Sequence, residues 1–139
     1  MRSCVNGRDA CTGGSKYVLA TILGHVEIAV DPSRFPETPG LVIRQLLKKT
    51  NKSLDDIDLF EDNEAFVAVA IISYRIAHLD VGKVNVNVGA VALGHSIGAN
   101  SARIVLSLAY ELKRRGGGIG IAAICSGGGQ GDAVMIEVN

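Results

Sequence analysis

Three short stretches of this chain bring together residue types that do chemistry. They are Asn63-Glu64-Ala65-Phe66, then Gly94-His95-Ser96-Ile97-Gly98, then Cys125-Ser126 running into Gly127, Gly128, Gly129, Gln130 and Gly131. An amide, an imidazole and a thiol are the parts needed for acid/base work on a thioester. His95 sits between glycines just before a long helical pattern. Histidine is the commonest general base, and the plain alternative is a loop ring satisfied by backbone groups. Cys125 ends an apolar strand, where cysteine is often only a small buried hydrophobe. The glycines that follow leave its sulfur uncovered, and their backbone N–H groups suit an oxyanion. Asn63, taken alone, reads as a helix N-cap. All three lie at element ends, where sites are usually built.

Charge and composition narrow the partners. Lys+Arg and Asp+Glu both total 14 in 139 residues, so no net basic field draws nucleic acid or an anionic membrane. Cys4, Cys11 and Cys125 are an odd set without metal-ligand spacing. That argues against a disulfide scaffold or a metal site and for a reducing compartment, cytoplasmic or the mitochondrial matrix. The apolar runs fall well short of a membrane span. Residues 1–14 lack the apolar core of a secretory signal. The glycine run after Cys125 lacks the Gly-Lys-Ser/Thr ending of a phosphate loop and leads into a strand rather than a helix, which excludes a nucleotide loop.

The elements that must position these groups can be read from periodicity. Residues 1–15 are polar and aperiodic, a frayed tail, and 16–139 form one domain. Tyr17 to Val30 reads as a strand bent at Gly24. Thr38-Pro39 places an N-cap and a first-turn proline ahead of a helix ending at Lys48 and Lys49. Ser53 to Asp56 reads as a capping-box turn, and Ile57 to Phe60 as a short strand. Asn63 opens a helix apolar on nearly all sides, hence a buried one. Val84 to Val88 reads as a brief extended segment. Ile97 to Arg115 is a helix with Ile104, Val105, Leu108, Ala109 and Leu112 on its core face, and with Glu111, Lys113, Arg114 and Arg115 on a solvated one. Gly118 to Cys125 and Ala133 to Val138 are the closing strands. The order β-α-β-α-α-β-β predicts an α/β fold, a mixed β-sheet with helices packed on it.

At these residues the sequence resembles the thiolase family. The family's C-terminal domain carries Asn-Glu-Ala-Phe, Gly-His-Pro-x-Gly and Cys-x-Gly-Gly-Gly segments, and all three appear here in order, the second with Ser96 in the proline position. The stretches Leu19 to Pro36 and Leu54 to Phe66 are similar as well, so the resemblance covers roughly 17–138. It implies acyl transfer between a cysteine thiol and coenzyme A, making or cleaving 3-ketoacyl-CoA. In that frame His95 is the base that activates the nucleophilic cysteine, and Cys125 exchanges the proton on the substrate carbon or sulfur. Asn63 holds a water in an oxyanion hole, and the backbone N–H of Gly127 donates to the acyl-enzyme oxygen. Phe66, Gly94 and Gly128 belong to the substrate and CoA contacts. No metal or redox cofactor is implied; coenzyme A enters as substrate. The resemblance also implies that the nucleophilic cysteine belongs to an N-terminal half not included here, so the partners expected are acyl-CoA and an N-terminal thiolase half or a second copy. The alternative is a non-catalytic thiolase-like module that binds acyl-CoA or a partner. Asn100 and Ser101 replace typically smaller residues, and Val88 replaces a usual glycine, which would strain a left-handed backbone there.

Overall fold

Alternation along the final strand sends Ala133 and Met135 to one face of a sheet and Val134, Ile136 and Val138 to the other. Both faces are buried because helices cover each of them. The computed structural model describes residues 4–6 and 18–139. Its elements are β1 (Cys4–Asn6), β2 (Val18–Ala29), α1 (Thr38–Thr50), β3 (Leu59–Asp62), α2 (Val67–Ala77), α3 (Ala90–Leu93), α4 (Asn100–Arg114), β4 (Gly118–Ser126) and β5 (Gln130–Val138). The sheet runs β1-β2-β5-β4-β3; β4 and β2 flank β5 antiparallel, while β3 joins β4 and β1 joins β2 in parallel. The mixed sheet and the element order agree with expectation. Cys4–Asn6 is an addition: it falls within the stretch read as a tail and forms the edge strand β1. The rest of that tail lies outside the described residues.

On one face, Val42, Ile43, Leu46 and Leu47 of α1 pack on Val26, Ile121, Ala123, Ala133 and Met135 of the sheet. On the other, Ile104, Leu108, Ala109 and Leu112 of α4 meet Leu19, Leu59, Ala122, Ile136 and Val138. A side chain at Gly120 would push into Leu108, 2.6 Å from its Cδ1, so this glycine lets α4 lie close on β4.

Several local expectations need correction. Thr38 does not cap α1 from outside. It is the first helical residue, and its buried hydroxyl donates to Phe35 O (2.8 Å) and Gln130 O (3.0 Å), tying the helix start to the start of β5. The helix after Asn63 begins only at Val67, with Phe66 as its cap residue. That helix is not buried all round, because Val67 and Ile71 are exposed. The strand expected to end at Phe60 is shifted to Leu59–Asp62. The segment around Val84 makes a single bridge to Phe60 rather than a strand. Val88 is not among the non-glycine residues in the left-handed region, so the expected strain is absent. Glu111 is buried, held by Arg114 and Arg115 instead of facing solvent. The turn at Ser53 forms as read, with the Ser53 N–H and hydroxyl both donating to Asp56 Oδ2 at 2.7 and 2.8 Å.

Candidate active site

Strand β4 carries Cys125 to the edge of an open cleft. Its neighbours β5 and β3 hold it on both sides, with Cys125 opposite Gly131. The chain then turns back through Gly127, Gly128 and Gly129. Gly128 (φ 77°) and Gly129 (φ 79°) are left-handed, which glycine adopts without penalty. Gly129 also packs flush against the Val30 carbonyl, and its own carbonyl accepts from the Val30 N–H at 2.9 Å. A side chain there has no room.

The cleft has a volume of about 1020 Å³, and Cys125, His95, Phe66, Gly127 and Gly128 all line it. Five of the seven residues singled out from sequence therefore meet. Phe66 reaches it from the start of α2 and packs edge-on against Phe35, ring centroids 6.2 Å apart. Gly94 is outside the lining. It closes α3 with φ 93°, a backbone role that explains the glycine without a ligand.

Asn63 is also outside the lining, and it is not a helix cap. Its N–H donates to Ala123 O at 3.0 Å, continuing the β3–β4 ladder. Its Oδ1 accepts from Arg103 Nη2 at 3.4 Å, while the buried Nδ2 has no protein partner among the described residues. Of Asn63, His95 and Cys125, expected to share a pocket floor, the last two line the cleft, while Asn63 is buried outside its lining.

His95 rides on a thinner support, the segment between α3 and α4. Asn100 Nδ2 donates to its Nδ1 at 2.7 Å. Further back, Glu64 braces the same segment. Its carboxylate accepts the Val91 N–H at 3.2 Å and the Tyr74 hydroxyl at 3.3 Å, so it caps the short α3 from a distance. A side chain at Gly89 would collide with that carboxylate. Sequence reading singled out neither Asn100 nor Glu64 as a site residue. The signal available was an asparagine at a helix start and a glutamate directly after Asn63.

The electrostatics favour neutral groups around the thiol. Burial pushes Glu61 and Asp62 up to about 7. Burial, and then the charge of Asp62, raise the Cys125 thiol above its ordinary value. Such a thiol keeps its proton and serves as an acid more readily than as a thiolate. No lysine or arginine lines the cleft, and its carboxylates are Glu27 and Asp132. Those two, with His25, are a set with metal-ligand chemistry among the described residues. His25 and Glu27 are exposed and Asp132 half-buried, with His25 Nε2 2.8 Å from Asp132 Oδ1.

These features define the C-terminal domain of a thiolase, and the chain belongs to that family: the family model "Thiolase, C-terminal domain" matches residues 16–138. Among curated relatives, the acetyl-CoA acetyltransferase of Synechocystis sp. is 49% identical over 119 residues, covering 86% of this chain and 30% of the relative. The crystal structure of the Bacillus anthracis acetyl-CoA acetyltransferase superposes with a TM-score of 0.85 at 48% identity, covering 88% of this chain and 31% of that one. Human mitochondrial 3-ketoacyl-CoA thiolase, solved in complex with CoA, superposes with a TM-score of 0.89 at 42% identity, covering 95% and 34%. The chain therefore spans about a third of the length of the proteins it matches.

Proposed function

We propose that this chain supplies the acid/base wall of a thiolase-type acyl-CoA acyltransferase site, acting in acetyl-CoA acetyl transfer or 3-ketoacyl-CoA thiolysis. The observation that carries the reading is the meeting of His95 and the Cys125 thiol in one cleft beside the Gly127–Gly128 turn. His95 takes the proton of a nucleophilic thiol provided by the rest of the enzyme. Cys125 returns a proton to the substrate carbon or sulfur, a role that fits a thiol kept protonated. The Gly127 N–H donates to the acyl oxygen, and Asn63, buried outside the lining, holds a water with its free Nδ2. A lining that mixes Ile28, Phe35, Phe66 and Ile97 with polar groups, and holds no lysine or arginine, suits the thioester and pantetheine end of acyl-CoA better than the CoA phosphates. A reducing compartment belongs to the same reading, because an oxidised Cys125 can exchange no proton.

The test is complementation. Combined with the complementary part of a relative such as the Bacillus anthracis enzyme, the chain is expected to restore CoA-dependent cleavage of acetoacetyl-CoA. H95A or C125A is expected to lower that rate by about 10²–10⁴-fold. The chain alone is expected to be inactive, since covalent catalysis needs the nucleophile. A stable complex that binds CoA without turnover would overturn the reading. It would favour instead a non-catalytic module that binds acyl-CoA or a partner, a second reading supported by the exposed apolar rim of Phe66, Val67, Leu93 and Ile97.

A further inference from the structure

Asparagine is a poor helix former, and a buried polar side chain must find partners. Asn100 is the first residue of α4 and only 3% exposed. It does not cap the helix, because Ala99 occupies the cap position and no side chain bonds to it. Its amide is spent elsewhere. The Ser96 hydroxyl donates to Asn100 Oδ1 at 3.2 Å, and Asn100 Nδ2 donates to His95 Nδ1 at 2.7 Å, with the other ring nitrogen, Nε2, farther off at 3.5 Å. In this arrangement Oδ1 lies toward the Ser96 hydroxyl and the NH2 group faces the ring. An NH2 group can only donate, so Nδ1 must accept, and the ring proton resides on Nε2.

We infer that Asn100 is a positioning residue for His95: steadied by Ser96, its amide selects the imidazole tautomer and sets which ring nitrogen is free to face the cleft. The inference rests on the acyltransferase reading for what His95 then does, but the bond itself is a property of this chain. The Ser96 hydroxyl steadies the amide; because a hydroxyl donates or accepts, the fixed end is set by the whole buried contact and not by Ser96 alone. A further side-chain restraint on the His95 segment comes from Glu64, which bonds to Val91 and not to the ring.

Ring-nitrogen NMR of the whole chain at about pH 8, where imidazoles are generally uncharged, tests this. Wild-type His95 is expected to show one tautomer, protonated on Nε2. N100A is expected to bring the two ring-nitrogen signals together as the tautomers average. N100D, isosteric but able only to accept, is expected to keep one tautomer with the proton moved to Nδ1. The β4 and β5 amide signals report that each variant is folded. S96A is expected to give partial averaging. Wild-type signals already averaged, or signals unmoved in N100A, overturn the inference; a merely structural asparagine would leave the tautomer untouched. The measurement needs no acyl-CoA. Failed complementation with a normal N100A shift would therefore sink the enzymatic reading and leave this one standing.

Discussion

Cys125 and His95 reach the same cleft on very different supports. Cys125 sits on a strand paired along both edges, backed by α1 on one face of the sheet and α4 on the other. His95 sits on a segment whose apolar residues Val91, Leu93 and Ile97 face solvent, and two side chains, Asn100 and Glu64, hold it. A sheet spreads the restraint over many backbone hydrogen bonds, so no single side chain decides where the thiol points. A loop concentrates it, so one side chain can decide the orientation of the ring. The thiol side of this site is therefore set by the fold and the imidazole side by local polar contacts.

The largest expected effect attacks the sheet side at its turn. G129A forces a side chain into a left-handed backbone against the Val30 carbonyl. It should lower unfolding free energy in urea by about 2–4 kcal/mol. A change below about 1 kcal/mol would mean the hairpin is as adaptable as the loop, and the contrast would fail.

Next comes pH. Burial raises Glu61 from an ordinary 4.5, and Asp62 from 3.8, to about 7. The folded state then binds protons more tightly than the unfolded chain between those values. The contribution of these two groups is fully present below about 4 and is lost as pH rises through about 7. Glu111, held down at about 2 by Arg114 and Arg115, works the opposite way, and its contribution is lost as pH falls below 4.5. The melting temperature should therefore fall by roughly 5–10 °C between pH about 5 and about 8, and E61Q and D62N should flatten that slope. A flat wild-type profile would refute the assignment.

E64A should be smaller and local. Losing the brace on Val91 should speed hydrogen exchange at residues 90–95 about tenfold while β4 and β5 amides stay protected. E64Q, which retains an acceptor, should remain within about twofold of wild type. Equal acceleration in the strands would erase the distinction between the two supports. The smallest effect is expected from I97S. At 87% exposed, this side chain should change stability by less than about 0.5 kcal/mol. A larger loss would mean that the His95 segment is packed after all.

Legibility from sequence followed the same divide. The closing strands and the core face of α4 announce themselves through apolar spacing, and Ile104, Leu108 and Leu112 are buried as that spacing requires. Cys125 beside its glycines was readable because a strand end and a left-handed turn leave a compositional mark. The misreadings cluster where a polar residue could serve two masters. Thr38 and Asn63 both have cap chemistry, yet Thr38 bonds to Gln130 and Asn63 to Arg103, partners 92 and 40 residues away. Glu111 looked solvated because it lies among cations, and those same cations follow it into a buried position.

Periodicity and glycine placement alone determined that this chain forms a mixed sheet between helices and which strand end bears the thiol, because both are governed by local sterics and by which residues must leave water. Tertiary structure alone decided that His95 meets Cys125 while Asn63 stays buried outside the lining, and that Asn100 and Glu64 hold the imidazole segment. Those contacts depend on the direction of a few hydrogen bonds between distant residues, and spacing along a chain carries no record of direction.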